Sequence, residues 1–201
     1  MTRLLAPLVL ASASPRRRDI LELLGLSFRV LPVEVDESRS AGEAPDLYVV
    51  RVAEAKAVAA IRCLGEEAPA PFVLAADTAV VLGDRVLGKP RDDRDAVAMI
   101  MSLSGRSHHV VTGVAVARAE GGLLAGEAVS AVVRFRQLDE GMAARYVASG
   151  EGRDKAGSYA VQGLGAGLVS AVEGPYHTVV GLPATQTLAL LQRVGALSEW
   201  P

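Results

Sequence analysis

The sequence predicts an α/β fold built on a mixed central sheet. Segments with helical spacing of apolar residues alternate with short apolar strands along the whole chain, an order typical of helices packed on a sheet. Two strand pairs, however, flank the tight turns Gly83-Asp84 and Gly121-Gly122, which indicates hairpins and therefore antiparallel pairing as well. A chain of 201 residues suits one domain, which we expect to span residues 1–201.

The first part of the chain predicts a strand followed closely by a helix. Residues 8–11 form an apolar run of the length of a buried strand. Ser14 suits the N-cap of the next helix, Pro15 its first turn and Gly25 the residue just past its end. The other elements are predicted in this order: strand 28–33, helix 46–64, strand 72–76 ending at Asp77-Thr78, hairpin strands 80–82 and 85–87, helix 93–103, paired strands 109–118 and 123–135, helix 139–148, loop 163–167, strands 168–172 and 176–180, and helix 183–194.

Composition excludes several classes of protein. Aromatic residues make up 4% of the chain and the net charge is −2, so the basic stripes and stacking platforms of nucleic-acid-binding proteins are missing. Cys63 is the single cysteine, which rules out an intrachain disulfide and a cysteine metal cluster and suits a reducing compartment. The apolar start of the chain resembles a secretion signal, but Pro7 interrupts it and arginines follow at 16–18. We therefore expect a cytoplasmic protein without a membrane segment.

The turn between the first strand and the first helix has the features of an anion site. A helix N-terminus presents unpaired N–H groups and a partial positive charge. Ser12 and Ser14 add hydroxyl groups, and Arg16 and Arg17 add forked cations that suit phosphate. The alternative is an ordinary serine cap followed by solvated arginines, and a motif this short does not decide between the two.

Two acidic positions are candidates for proton transfer or for a divalent cation. Asp77, followed by Thr78, is predicted at the end of an apolar strand, where ligands of α/β sheets gather. A carboxylate there can hold a metal ion or accept a proton from water, although an aspartate that ends a strand often only caps a turn. Glu37 in an acidic loop is a second candidate, with a solvated loop as the alternative.

Lysine is rare in this sequence, and each lysine lies in a segment that has features of a binding site. Of the 21 basic residues only Lys56, Lys89 and Lys155 are lysines, so a lysine is expected where a compact ammonium is needed. Lys89 follows Gly88 and precedes Pro90, which together fix a loop. Lys56 lies among alanines and valines of the long helix, where it is either a site residue or a side chain that extends to the rim of an apolar face.

These motifs, taken in order, resemble the Maf family of nucleotide pyrophosphatases. The likeness extends over nearly the whole chain. It is carried by Leu-Ala-Ser-Ala-Ser-Pro-Arg-Arg at 10–17, Asp-Glu at 36–37, the helix around Lys56, Ala-Ala-Asp-Thr-Ala-Val at 75–80, Leu-Gly-Lys-Pro at 87–90, Leu-Ser-Gly-Arg-Ser-His at 103–108, Thr-Gly-Val at 112–114, Asp-Lys-Ala-Gly at 154–157, Gln-Gly at 162–163 and Val-Val-Gly-Leu-Pro at 179–183.

The resemblance implies a fold similar to the inosine triphosphatases, with two lobes flanking a cleft. Members of the family are often dimers, so a homodimer is one assembly to test. It also implies hydrolysis of a nucleoside triphosphate to the monophosphate and pyrophosphate with Mg²⁺ or Mn²⁺. Thr78 and Gln162 resemble the members that act on dTTP and UTP, with modified pyrimidine triphosphates as further candidate substrates.

The resemblance and the charge of a triphosphate together assign roles to the candidate residues. Asp77 matches the proton acceptor of the family, and we expect Asp77 and Glu37 to hold the metal. Lys56 and Lys89 join them as catalytic candidates that neutralise phosphate charge. The expected substrate-binding residues are Ser12, Ser14, Arg16, Arg17, Thr78, Lys155 and Gln162, of which Arg16, Thr78 and Gln162 match positions associated with the choice of base.

Two other functions are alternatives to this house-cleaning hydrolase. One is a nucleotide-binding regulator of septum formation and cell division, which would not need a water-activating aspartate. The other is a simple phosphatase, which would release orthophosphate first. Neither a His-Glu-x-x-His zinc motif nor a Gly-x-Ser-x-Gly elbow is present in the sequence.

Overall fold

The computed structural model describes residues 2–65, 69–118 and 120–201. Its strands are β1 Arg3–Leu4, β2 Leu8–Leu10, β3 Arg29–Val30, β4 Phe72–Leu82, β5 Arg85–Leu87, β6 Ser107–Arg118, β7 Gly122–Phe135, β8 Val169–Glu173 and β9 Leu197–Glu199. Its helices are α1 Pro15–Leu23, α2 Pro45–Leu64, α3 Asp93–Leu103, α4 Glu140–Ala148, α5 Tyr176–Val180 and α6 Ala184–Arg193, with short 3-10 turns at Ala156–Ser158 and Gly163–Leu168. Within the residues that the structure describes, no helix is long and apolar enough to cross a membrane.

The central sheet is mixed, as predicted. Its strand order is β3-β2-β4-β6-β7-β8, with β5 paired to β4. β2 pairs parallel with both β3 and β4, whereas the β4–β5 and β7–β8 pairs are antiparallel. The parallel pairs come from strands joined through helices and the β4–β5 pair from a two-residue turn, so the pairing follows the connections. A separate antiparallel pair, which the sequence did not indicate, joins β1 to β9.

Contacts divide the described residues into two compact units. Unit 1 lies within Met1–Asp77, Thr112–Val129 and Gly181–Pro201, and unit 2 within Thr78–Val111 and Ser130–Val180. The long strands β4, β6 and β7 each contribute residues to both units. The prediction of one domain over residues 1–201 remains a prediction.

In unit 1, helix α2 lies unusually close to the sheet because the facing side chains are small. Its buried positions are mostly alanine and valine, and they pack with alanines and valines of the strands. Gly113 of β6 has no side chain at the closest approach, and a Cβ built there would lie 2.3 Å from the carbonyl oxygen of Val49. Only glycine accommodates this backbone approach.

Unit 2 has a core of larger side chains around helices α3 and α4. Each helix begins with an aspartate cap, since Asp92 and Asp139 accept hydrogen bonds from the amides three residues later, both at 2.7 Å. His108, Phe135 and Tyr159 pack edge to face with ring centroids 4.8 to 5.4 Å apart. His108 Nε2 lies 2.7 Å from the Tyr159 hydroxyl. Burial, with a smaller effect from the charge of His109, lowers the pKa of His108 from 6.5 to about 4.

Most predicted elements are confirmed, and three are corrected. Gly25 ends α1 with φ at +68°, and the amides of Gly25 and Leu26 bond back to Glu22 and Leu21, which is a Schellman turn. The strand predicted for 72–76 does not end at Asp77 but continues to Leu82. The segment 176–180 is a helix rather than a strand, because it follows Pro175 and begins with the Thr178 amide bonded to the Pro175 carbonyl. The loop predicted for 163–167 includes a 3-10 turn.

The contact of Gly113 predicts the cost of adding one methyl group. Gly113→Ala should lower the free energy of unfolding by about 2 kcal/mol, because the new atom meets fixed backbone. Gly126→Ala is the matched control on β7, since its Cβ would first meet the flexible end of Glu54 at 2.9 Å, and it should cost less than about 1 kcal/mol. Urea unfolding of both variants measures the difference, and equal losses would contradict the close approach of α2.

The buried His108 predicts a loss of stability in acid. The unfolded chain takes up a proton at His108 near pH 6.5, whereas the folded protein does so only near pH 4. This contribution is therefore fully present above pH 6.5 and is lost as the pH falls toward 4, with a slope of up to about 1.4 kcal/mol per pH unit. Unfolding measured across this range should show that slope removed in His108→Gln and retained in His109→Gln, where the replaced side chain is exposed.

Candidate active site

The candidate site of unit 1 forms where the parallel strands β2 and β4 separate. Their pairing ends at Leu10 and Leu74, followed by a hydrogen bond of 2.8 Å from the Ala11 amide to the Leu74 carbonyl. Ser12 and Asp77 come shortly after these positions on the two chains. Asp77 thus lies beyond the part of β4 that pairs with β2, but inside the strand and not at its end as predicted.

The turn after β2 is held by Ser12 rather than by Ser14. The Ser12 hydroxyl oxygen accepts hydrogen bonds from the Ser14 amide at 3.2 Å and from Arg17 Nη1 at 2.9 Å. Arg17 Nε donates to the Gly181 carbonyl at 2.9 Å, so this arginine joins the turn to the segment before α6. Ser14 occupies the N-cap position of α1, but its hydroxyl caps no amide. The predicted position of the cap is confirmed.

Lys56 stands between the two candidate carboxylates. Its Nζ lies 2.6 Å from Glu37 Oε1 and 2.8 Å from Asp77 Oδ1. The Lys56 and Asp77 side chains are only 10% and 11% exposed, whereas Glu37 is 45% exposed. Both distances are measured from Lys56 Nζ, so Glu37 Oε1 and Asp77 Oδ1 are no farther apart than the sum of the two distances. The alternative of a lysine that extends to solvent is thereby excluded.

Arg17 belongs to the same electrostatic cluster. Burial lowers the pKa of its guanidinium, the charges of Asp77 and Glu37 oppose that effect, and the neighbouring Arg16 adds to it. An arginine remains protonated despite such a shift. Two fixed cations, Arg17 and Lys56, thus lie within electrostatic reach of the two carboxylates, and Arg16 lies half-buried beside them.

The loop that carries Glu37 is fastened to helix α2 by residues that the sequence analysis missed. The Tyr48 hydroxyl donates to the Glu37 carbonyl at 2.9 Å. Arg51 bonds both oxygens of Glu43, at 2.7 and 2.9 Å, and the Ser38 carbonyl at 2.9 Å.

Tyr48 had a sequence signal, because residues 48, 52 and 56 recur at helical spacing and so share a face with Lys56. Burial, together with the charges of Asp77 and Glu37, raises the pKa of Tyr48 to about 12, so its hydroxyl stays a hydrogen-bond donor. Arg51 had no comparable signal.

The remaining predicted residues belong to unit 2. The Gly157 amide donates to the Gly88 carbonyl at 3.0 Å, which brings the two lysine-containing segments side by side. The Lys155 ammonium pairs with Asp154, and the Lys155 side chain is 15% exposed. Lys89 and Gln162 are exposed, and Thr78 is half-buried directly after Asp77.

The donor set of unit 1 suits a hard divalent cation. Glu37 and Asp77 supply carboxylate oxygens, the ligands that Mg²⁺ and Mn²⁺ prefer. Among the described residues no group of three or more histidine, cysteine, aspartate or glutamate side chains could hold a metal. Mg²⁺ is commonly bound by one or two carboxylates together with substrate phosphates and water, so two carboxylates fit this mode.

Comparison with known proteins agrees with the motifs gathered at this site. A family model described as Maf-like protein matches residues 7–194. The chain belongs to the Maf family. It is 50% identical over 194 residues to the dTTP/UTP pyrophosphatase of Myxococcus xanthus (strain DK1622), with 96% of this chain and 95% of the relative covered. To the dTTP/UTP pyrophosphatase of Nitratidesulfovibrio vulgaris it is 45% identical over 192 residues, with coverage of 95% and 89%.

A solved structure agrees in fold with this Maf chain. A HAM1 protein from Coxiella burnetii aligns with a TM-score of 0.52 at 17% identity, covering 94% of this chain and 98% of that one. At this identity the likeness concerns the fold alone, and it confirms the predicted mixed α/β architecture.

The position of Lys56 in this Maf chain predicts a large effect on stability. Lys56→Gln should lower the free energy of unfolding by about 3 kcal/mol, because Asp77 then stays buried without its cation. Arg62→Gln, on the exposed side of the same helix, is the control and should change it by less than about 0.5 kcal/mol. Urea unfolding at neutral pH measures both, and a similar small change in the two variants would refute the bridging role of Lys56.

Proposed function

We propose that this Maf protein is a nucleoside triphosphate pyrophosphatase that hydrolyses dTTP and UTP to the monophosphate and pyrophosphate. The observation that carries the proposal is identity of 45 to 50% over nearly the full chain to relatives named dTTP/UTP pyrophosphatases. The site of unit 1 supports it, because a carboxylate suited to accept a proton lies beside cations suited to phosphate.

Asp77 is proposed as the group that accepts a proton from the attacking water. It is largely buried, and one of its oxygens is engaged by the Lys56 ammonium at 2.8 Å. That bond fixes the orientation of the carboxylate, which a general base requires. Charge developing on the phosphate oxygens is best stabilised by cations already in position, and Arg17 and Lys56 meet that description.

Glu37 and Asp77 are the proposed holders of a divalent cation. Such an ion, when bound, supplies charge neutralisation for the triphosphate and lowers the pKa of bound water. The protein contributes the anchoring of the Glu37 loop by Tyr48 and Arg51. Their hydrogen bonds keep a half-exposed carboxylate next to the buried one.

The other predicted residues are proposed to bind the substrate. Lys89, Lys155, Ser12 and Ser14 are assigned to the phosphates. Arg16, Thr78 and Gln162 are assigned to the choice of base, a proposal that rests on the family resemblance.

A cytoplasmic location, where nucleotide pools are sanitised, goes with this function. The regulatory alternative is not favoured, because the relatives reported above carry the name of an enzyme.

The proposed base predicts a strong effect on turnover. Asp77→Asn should reduce the rate of pyrophosphate release from dTTP by about 100-fold or more, because the amide cannot take up the proton. Asp84→Asn, at the exposed β4–β5 turn, is the control and should keep the wild-type rate.

Pyrophosphate and orthophosphate are assayed separately in the same reactions. Undiminished turnover by Asp77→Asn would refute the assignment of the base. Orthophosphate as the first product would show a phosphatase instead of a pyrophosphatase.

A further inference from the structure

The segment around Gln162 in unit 2 is held from both sides by one hydrogen-bonded relay. On the side before Gln162, the Ala160 amide donates to the Tyr146 hydroxyl oxygen at 3.0 Å. The Tyr146 hydroxyl in turn donates to Glu151 Oε2 at 3.0 Å. On the side after Gln162, the amides of Leu164 and Gly165 donate to Glu151 Oε1 and Oε2, each at 2.8 Å. The relay therefore spans residues 160–165 and has Gln162 at its centre.

The segment 160–165 is also closely packed at its two glycines. Gly163 has a φ of +67°, and a Cβ there would lie 2.0 Å from Glu151 Oε1. A Cβ on Gly165 would lie 2.0 Å from the Ala160 carbonyl oxygen and 2.9 Å from the Tyr146 hydroxyl. The backbone before and after Gln162 is thus in direct contact, and both glycines are required for it. The result is a closed turn that presents an exposed Gln162 side chain.

The hydrogen bonds around Glu151 favour a carboxylate at this position. Its two oxygens accept three hydrogen bonds, from two amides and one hydroxyl. Bonds to an ionised acceptor are about twice as strong as those between neutral groups. Tyr146 is buried, with 6% of its surface exposed, so the relay is anchored in the core of unit 2 through helix α4. No part of the proposed chemistry at Asp77 uses these residues.

We propose that Glu151 and Tyr146 are positioning residues for nucleobase selection, because they fix the turn that presents Gln162. The proposal rests on the proposed function, in which Gln162 contacts the base of a pyrimidine nucleoside triphosphate. An amide side chain discriminates between bases only when its oxygen and nitrogen are held in a defined place. Glu151 and Tyr146 supply that constraint without contacting the base.

Kinetic measurements with dTTP and GTP test this role in Glu151→Gln and Tyr146→Phe. Each variant should lower the ratio of kcat/KM for dTTP to that for GTP by about fivefold to tenfold, the effect of one or two hydrogen bonds. The loss should lie mainly in KM for dTTP, with kcat little changed, because the groups proposed for chemistry are untouched. Glu140→Gln, an exposed carboxylate in the first turn of α4, is the matched control and should retain the wild-type ratio.

Two further measurements separate positioning from a general structural effect. Amide hydrogen exchange should accelerate at residues 164 and 165 in Glu151→Gln and at residue 160 in Tyr146→Phe, and at none of them in the control. The double variant should lose no more selectivity than the more severe single one, since the two side chains belong to one relay. Faster exchange with an unchanged dTTP to GTP ratio would overturn the proposal.

Calorimetric binding of dTTP and GTP distinguishes this proposal from the proposed function. The titrations use the Asp77→Asn background, with and without each substitution, so that selectivity is measured without turnover. A loss of selectivity there supports the positioning role even if the wild-type protein releases no pyrophosphate, a result that would overturn the proposed function alone. Unchanged binding selectivity would overturn the positioning role alone. Absence of dTTP binding by the wild-type protein would overturn both.

Discussion

The arrangement of unit 1 depends on the ammonium group of Lys56, which is shared by Glu37 and Asp77 at hydrogen-bond distance. Two carboxylates brought this close repel each other, and one of them lies in the interior, where an uncompensated charge is costly. The lysine resolves both difficulties from helix α2, whose small side chains and the facing Gly113 let it lie close to the sheet.

The elements best predicted from sequence are those with local signals. Asp93–Leu103 has a capping aspartate before it and an apolar face within it, and its bounds are as predicted. Gly25 ended α1 where its freedom at positive φ was needed. Errors arose where distant residues decide the outcome. The strands predicted for 72–76 and 80–82 are one strand, β4, and Asp77 within it is paired with a lysine 21 residues earlier, a contact that no neighbouring residue indicates.

The candidate site shows the same division between local and distant information. Motifs identified Glu37, Lys56 and Asp77 as candidates, and the structure brings all three together. Sequence reasoning did not find the residues that hold the loop of Glu37 and the turn of Gln162 in place. Tyr48 and Glu151 act through a backbone carbonyl and backbone amides, and such partners depend on loop conformation rather than on residue type. Candidate side chains are thus easier to predict than the hydrogen bonds that orient them.

The scarcity of lysine has a practical consequence for chemical labelling. The side-chain amines of this protein are confined to Lys56, Lys89 and Lys155, and all three lie in segments assigned to the reaction. An amine-directed reagent modifies the exposed Lys89 most readily, whereas Lys56 reacts only when the surrounding structure opens locally. The extent of acylation, measured by mass spectrometry, would therefore report nucleotide occupancy at Lys89 and local opening at Lys56. No label has to be engineered into the protein.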